Sequence, residues 1–161
     1  MAQFLPKNGF PMTVIGREGN NKLIEVNFTT PFREKFGNEN IYKRNSLIKL
    51  IKLLKQNKNV GFLIDQKAGG TASFKARFFN HPADTTTSVA LLVLKYNPLV
   101  IPIFMPRLKN GKYHLKIIET SQDETATIES LTQKYNDILE EVIKEYPEQW
   151  FWMHNRWRLP K

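Results

Sequence analysis

Cysteine is absent from the 161 residues, so a disulfide framework, a Cys-ligated zinc site and thiol redox chemistry are all excluded, which suits a reducing compartment. Histidine occurs three times, never in the His-x3-His spacing that puts two imidazoles on one helix face. No metal site and no cofactor is expected. Long apolar runs are missing too: the longest, "SVALLVL" and then "NPLVIPIF", is broken by Lys95, Tyr96 and Asn97, far short of the about 20 residues a spanning helix needs. The opening "MAQFLPKNGF" has no apolar core of a signal peptide, so none is expected. No segment repeats at a solenoid period.

Acidic residues are the scarcer charge. Lys and Arg number 24 against 15 Asp and Glu, a net charge of +9. Such a field attracts phosphates, whether of nucleic acid, anionic lipid or an acidic carrier protein. With 41% hydrophobic residues, the chain has the length and composition of one globular domain.

The pattern predicts an α/β fold. "FPMTVI" (10–15) reads as a strand after a Gly-Phe-Pro turn. From Asn21 to Phe36, Leu23, Ile24, Phe28, Phe32 and Phe36 recur at helical spacing; Gly37 is placed as a stop, and Pro31 should bend or split the segment. Asn45 or Ser46 can cap a helix to about Asn57, with Leu47, Ile48, Leu50, Ile51 and Leu54 on one face and lysines on the other. "VGFLID" (60–65) lacks polar alternation, which predicts a strand covered on both sides in a parallel sheet. "KARFF" predicts a short strand, "DTTTSVALLVLKY" a helix, and "PLVIPIFM" a second buried strand. Asn110-Gly111 in "RLKNGKYHLKIIE" is a strong hairpin signal. Ile128, Leu131, Tyr135, Ile138, Leu139 and Val142 predict a long amphipathic helix over about 125–145, ending before Pro147. Crossovers between strands and helices favour a mostly parallel sheet.

Ligands of such sheets sit beyond the carboxyl ends of the strands. Arg17 and Asp65 both occupy that place, and Asp65 there is either a turn cap or a site residue. "KAGGTAS" is not a phosphate loop, because Gly70 is followed by Thr71 and Ala72 rather than by Lys and a hydroxyl residue. One histidine, His114, has a carboxylate five positions on, at Glu119. An odd separation along a strand sends the two side chains to opposite faces, so the pair cannot meet as base and orienter. Between Lys43 and Lys58 there are six basic residues and no acidic one, a solvated face or one that lies on anionic lipid. In "EQWFWMHNRWRLPK", Trp150 and Trp157 either cover the end of the sheet or join the arginines at an interface.

Taken in order and spacing, "PMTVIGR", "VGFLIDQKAGG", "ARFFNHPADTTTSVALLVLKYNPLVIPIFMPRLKNGKYHL" and "YPEQWFWMHNRWR" together resemble one family. It is the late acyltransferases of lipid A biosynthesis (lauroyl and myristoyl transferases), within the lysophospholipid acyltransferase superfamily. The resemblance implies an incomplete acyltransferase fold: a mostly parallel central sheet with flanking helices, a C-terminal hairpin and a long helix. It implies that residues 1–161 are the C-terminal part of the domain, without the membrane anchor and the His-x4-Asp/Glu block that precede it in the family. By that resemblance Arg17 neutralises a phosphate near the acyl site, and Asp65 with Gln66 lines the same cleft; no catalytic residue is assigned. Gly16 and Glu18 depart from the family pattern of an aromatic before the arginine and a proline after it.

The implied activity is transfer of a fatty acyl chain from acyl carrier protein to a lipid A precursor, at the cytoplasmic face of the inner membrane with peripheral attachment to an anionic surface, or in the cytoplasm if the chain does not associate. The chain is expected to be inactive alone, to expose apolar surface, and to pair with a separately encoded front half if one exists. The alternative expectation is a basic α/β module that binds nucleic acid or anionic lipid, with nucleic acid the weaker candidate.

Overall fold

The structure, a computed structural model, describes residues 1, 3–16, 19–42, 46–69, 73–121 and 125–157. These form two compact units, Met1–Leu63 and Ile64–Lys161.

The first unit is built on three short parallel strands. After helix α1 (Phe4–Lys7), strand β1 (Thr13–Gly16) lies between β2 (Glu39–Tyr42) and β3 (Val60–Gly61), with Thr13 opposite both Glu39 and Val60. Asn21 starts the helical run: its side chain accepts from the Leu23 and Ile24 amides, a carboxamide cap for otherwise unmet N–H groups. The run is continuous but irregular. It passes from α2 (Lys22–Ile24) through a π-helical turn (Glu25–Thr29) into α3 (Thr30–Glu34), and Pro31, which has no N–H to donate, is accommodated directly after the wider turn, at the second position of α3. Gly37 follows at φ 93°. Helix α4 (Ser46–Lys55) leads into β3, and its Leu50 is buried at 1% exposure.

The second unit is a pair of antiparallel strands laid on a long helix. Strands β4 (Ser73–Phe78) and β5 (His81–Thr86) form a hairpin with Phe78 opposite His81. Helix α5 (Ser88–Tyr96) ends at Asn97 in the left-handed region, a position that asparagine tolerates better than most residues. Strands β6 (Ile103–Phe104) and β7 (Lys116–Ile117) pair antiparallel, the pairing extended by an Arg107–Tyr113 bridge around Gly111 at φ 80°. Helix α6 (Ile128–Glu145) opens on a capping box in which Thr127 and Ser130 exchange hydrogen bonds. It buries Leu131, Tyr135, Leu139 and Val142, the spacing its sequence predicts.

One face of α6 covers Phe78 and Ala83 through Leu139 and Ile143, with Trp150 and Trp157 closing over the same cluster. Polar groups of α6 also finish the outer edge of the hairpin. Gln133 exchanges two bonds with the Arg77 backbone, accepting its N–H at 2.8 Å and donating to its carbonyl at 3.0 Å, and Glu140 accepts the Phe79 N–H at 2.8 Å. A strand edge that would otherwise be left open is thereby capped by side chains.

The α/β class with a parallel sheet and a long C-terminal helix is observed. The differences are local. Only Val60 and Gly61 of "VGFLID" are in the sheet, and Leu63 is exposed. The segment read as a helix from Asp84 begins as strand β5, because threonines 85 and 86 are β-branched and pair with Phe74 and Ser73. In "PLVIPIFM" only Ile103 and Phe104 are paired, with Leu99 and Ile101 exposed; prolines 98 and 102 withhold the amides that a longer ladder would use. Strand β2 was not anticipated, since "ENIY" carries no run of apolar residues. Asn45 lies outside the described residues.

Leu139→Ala should cost about 2–5 kcal/mol of stability, as for other large-to-small changes in a packed core, measured by urea denaturation. In the first unit Leu23, Val26, Phe28 and Phe32 stand on the surface, each at least 64% exposed. A concentration-dependent rise in sedimentation coefficient is therefore expected for the 161-residue chain, reduced when Leu23, Phe28 and Phe32 are replaced by serine; a monodisperse monomer at high concentration would contradict it.

Candidate functional site

Asp65 and Gln66 lie in the bend that opens the second unit. Together with Trp150, Phe151 and His154 they line a small cleft. Asp65 is half-buried and Gln66 exposed, so both present polar groups to solvent from a backbone that is itself tied down. The ties come from the end of the chain. Arg156 Nη1 donates to the carbonyls of Ile64 and Asp65 at 3.1 and 2.6 Å, and the Lys67 amide donates to His154 Nε2 at 2.9 Å. Accepting at Nε2 requires a neutral ring with its proton on Nδ1.

Arg156 is wholly buried. Nη2 donates to Asn136 Oδ1 at 2.9 Å and to Thr85 Oγ1 at 3.3 Å, and the guanidinium lies 4.4 Å over the Phe78 ring. Asn136, also fully buried, uses Nδ2 to bond the Arg77 carbonyl and Thr85 Oγ1, each at 3.1 Å. Burial pushes the guanidinium below its ordinary pKa while the nearby Asp65 carboxylate pulls it up. The cation is held by carbonyls, a carboxamide, a hydroxyl and an aromatic face, with Asp65 supplying charge at longer range.

Arg17 lies outside the described residues, but its flanks are described. Gly16 ends β1, and a Cβ there would lie 2.5 Å from Asn40 Oδ1 on the neighbouring strand. The side chain of Asn40 occupies the space into which a side chain at position 16 would grow. Two residues beyond Arg17, the Gly19 amide donates to Glu25 Oε2 at 3.1 Å. The other oxygen of Glu25 accepts from Tyr42 at 3.0 Å, Arg33 at 3.1 Å and Thr30 at 3.3 Å. A carboxylate at 4% exposure with four donors is fully compensated, and it anchors the segment that follows Arg17 to the π-helical turn.

His154 uses Nε2 on Lys67. His114 sits in the field of Glu145, which is held below its ordinary pKa first by Lys116 and more weakly by His114, and no hydrogen bond joins His114 to Glu119 among the described residues. His81 is exposed at the β4–β5 turn. A larger cleft of about 270 Å³ lies between α5 and α6, with Val93, Val100, Leu131 and Tyr135 as its apolar wall and Lys134 on its rim. Among the described residues its lining holds no carboxylate or imidazole. Among the described residues no three His, Asp or Glu side chains cluster as a metal site, and no helix is long and apolar enough to cross a membrane.

Against this geometry, the profile of a family described as Bacterial lipid A biosynthesis acyltransferase matches residues 1–159. The chain belongs to this family. Relatives include a lipid A biosynthesis palmitoleoyltransferase of Escherichia coli (strain K12) and a lipid A biosynthesis acyltransferase of Shigella flexneri, each 28% identical over 151 residues, 92% of this chain and 48% of the relative. The chain thus spans about half the length of the curated relatives it matches. As a member of this family it leaves the nucleic-acid reading without support, and parts of three of the four segments that carried the resemblance acquire local roles. "VGFLIDQKAGG" supplies the bend, "ARFFNHPADTTT" the hairpin with Thr85, and "WFWMHNRW" the groups that hold the bend.

Sequence reasoning singled out Asp65 and Gln66 but not Glu25, Asn136, His154 or Arg156. Asn136 carried a usable signal, a polar residue between Tyr135 and Leu139 on the apolar side of an amphipathic helix. Glu25→Gln removes the ion pair with Arg33 and leaves an amide facing several donors; it should destabilise by about 1–3 kcal/mol, read as a lower urea midpoint at neutral pH.

Proposed function

We propose that Asp65 and Gln66 form part of the wall of the acyl-transfer cleft of a lipid A acyltransferase, which moves a fatty acyl chain from an acyl carrier, acyl carrier protein in this reading, to a hydroxyl of a lipid A precursor. The observation that carries the reading is the family match across residues 1–159, with the polar Asp65–Gln66 bend opening on a cleft. In the transfer the acceptor hydroxyl attacks the thioester carbonyl, its proton passes to a base, and the thiol leaves with a proton as the tetrahedral oxyanion collapses. Asp65 and Gln66 are suited to hold sugar hydroxyls through their carboxylate and carboxamide. Arg17 is suited to neutralise a phosphate of the acceptor.

The base is the remaining requirement. His154 is engaged at Nε2, and neither His114 nor His81 has the hydrogen-bonded carboxylate partner of a base among the described residues. The reading therefore assigns the base to a His-x4-Asp/Glu block outside these 161 residues, makes the chain inactive by itself, and places it peripherally at the cytoplasmic face of the inner membrane.

Acyl transfer to a lipid A precursor should be undetectable with the 161-residue chain and should appear when it is joined to, or co-expressed with, the preceding half of a family member that carries the block. In that active form Asp65→Ala should lower kcat/KM at least about tenfold, the effect of losing one hydrogen bond to a charged group. Transfer by the chain alone would refute its inactivity, and failure of every joined form would refute the acyltransferase reading.

A further inference from the structure

The backbone of residues 64–68 makes no regular secondary structure, so its polar groups need partners from elsewhere. The partners can be counted. The Ile64 and Asp65 carbonyls both accept from Arg156 Nη1, the Lys67 amide donates to His154, and the Ala68 amide donates to the Asp84 carbonyl at 2.9 Å. Two consecutive carbonyls aimed at one nitrogen, with an amide two residues later aimed at an imidazole, specify one conformation of the bend. Three of the four bonds come from two residues of the last segment, and those two are separated only by Asn155.

Arg156 is an expensive way to fill space. Its guanidinium is fully buried, and Nε has no hydrogen-bond partner among the described residues. An apolar side chain of similar volume commonly serves a core as well as a buried charge or better. What such a side chain could not do is grip two adjacent carbonyls while keeping a positive charge within electrostatic range of the Asp65 carboxylate. Arg156 is in turn fixed from behind by Asn136 and Thr85, so the grip is transmitted from α6 and β5.

We propose that His154 and Arg156 are positioning residues, which hold the 64–68 bend in the conformation that presents the Asp65 carboxylate and the Gln66 carboxamide to the cleft for an acceptor's hydroxyl groups. The bend geometry stands independently of the acyltransferase reading, and only the identity of the acceptor rests on it.

The test has two arms. Hydrogen–deuterium exchange of the 161-residue chain is followed on a peptide spanning 62–69, with a peptide from 128–143 of α6 as the control. His154→Phe should speed exchange at Lys67 about tenfold or more, the effect of losing one partly buried hydrogen bond, and leave α6 unchanged. His154→Gln, whose Oε1 can accept at the place of Nε2, should restore protection. Because Arg156→Met can unfold the unit outright, Arg156→Lys is the second variant: a single ammonium cannot grip both carbonyls and still reach Asn136, so the bend should loosen while α6 stays protected. Unchanged exchange at the bend in His154→Phe and Arg156→Lys would overturn the proposal.

In the joined, active form, His154→Phe should raise KM for the lipid A precursor about fivefold or more, with kcat changed less, and His154→Gln should reverse it. A loosened bend with unaltered KM would also overturn the proposal, by reducing both residues to a structural role. Absence of transfer in the unsubstituted joined form would instead count against the acyltransferase reading, and the exchange arm would still decide whether the bend is held as stated.

Discussion

A guanidinium removed from water dominates the second unit. Burying a charge of this size carries an effective penalty of several kcal/mol, offset by hydrogen bonds to carbonyls and neutral side chains. Arg156 meets the condition through four bonds and the face of Phe78. Each partner must then be held in place. Asn136 is kept by the Arg77 carbonyl and Thr85, Thr85 by its own bond to the Ala83 carbonyl at 3.2 Å, and Phe78 by the stacked Trp157 ring at 5.6 Å. Helix, hairpin, tail and bend are linked because each contributes a group that the cation cannot do without.

The same logic explains the polar residues of α6. Gln133, Asn136 and Glu140 recur at helical spacing and all face the outer edge of β4. A two-stranded hairpin is marginal when left by itself in water, and this one is completed on one side by backbone pairing and on the other by carboxamides and a carboxylate. Hydrophobic burial of Phe78, Leu139 and Ile143 supplies non-directional attraction, while the hydrogen bonds select the register in which that burial occurs.

Glu25 does comparable work in the first unit with the opposite charge. Its carboxylate gathers donors from the segment after β1, from α3 and from β2, at the point where the helix widens to π geometry. Such turns recur near functional positions. Here the turn belongs to the residue that tethers Gly19, two positions beyond Arg17. Both units thus use a buried charged side chain to secure the backbone close to a residue of the proposed site.

Much was legible in the sequence because local chemistry decides it. The α6 stripe, the turn at Asn110-Gly111 and a strand closing near Ile15 follow from periodicity and turn preference. Asp65 was legible as a polar residue ending an apolar run, and the ordered motifs placed the chain in its family. What only the tertiary structure decided is what Asp65 stands beside. Arg156 and His154 are about ninety positions away in the chain, and nothing in their local pattern separates a surface cation from one gripping carbonyls in the core. That distinction depends on burial, which is a property of what packs around a residue rather than of the residue itself.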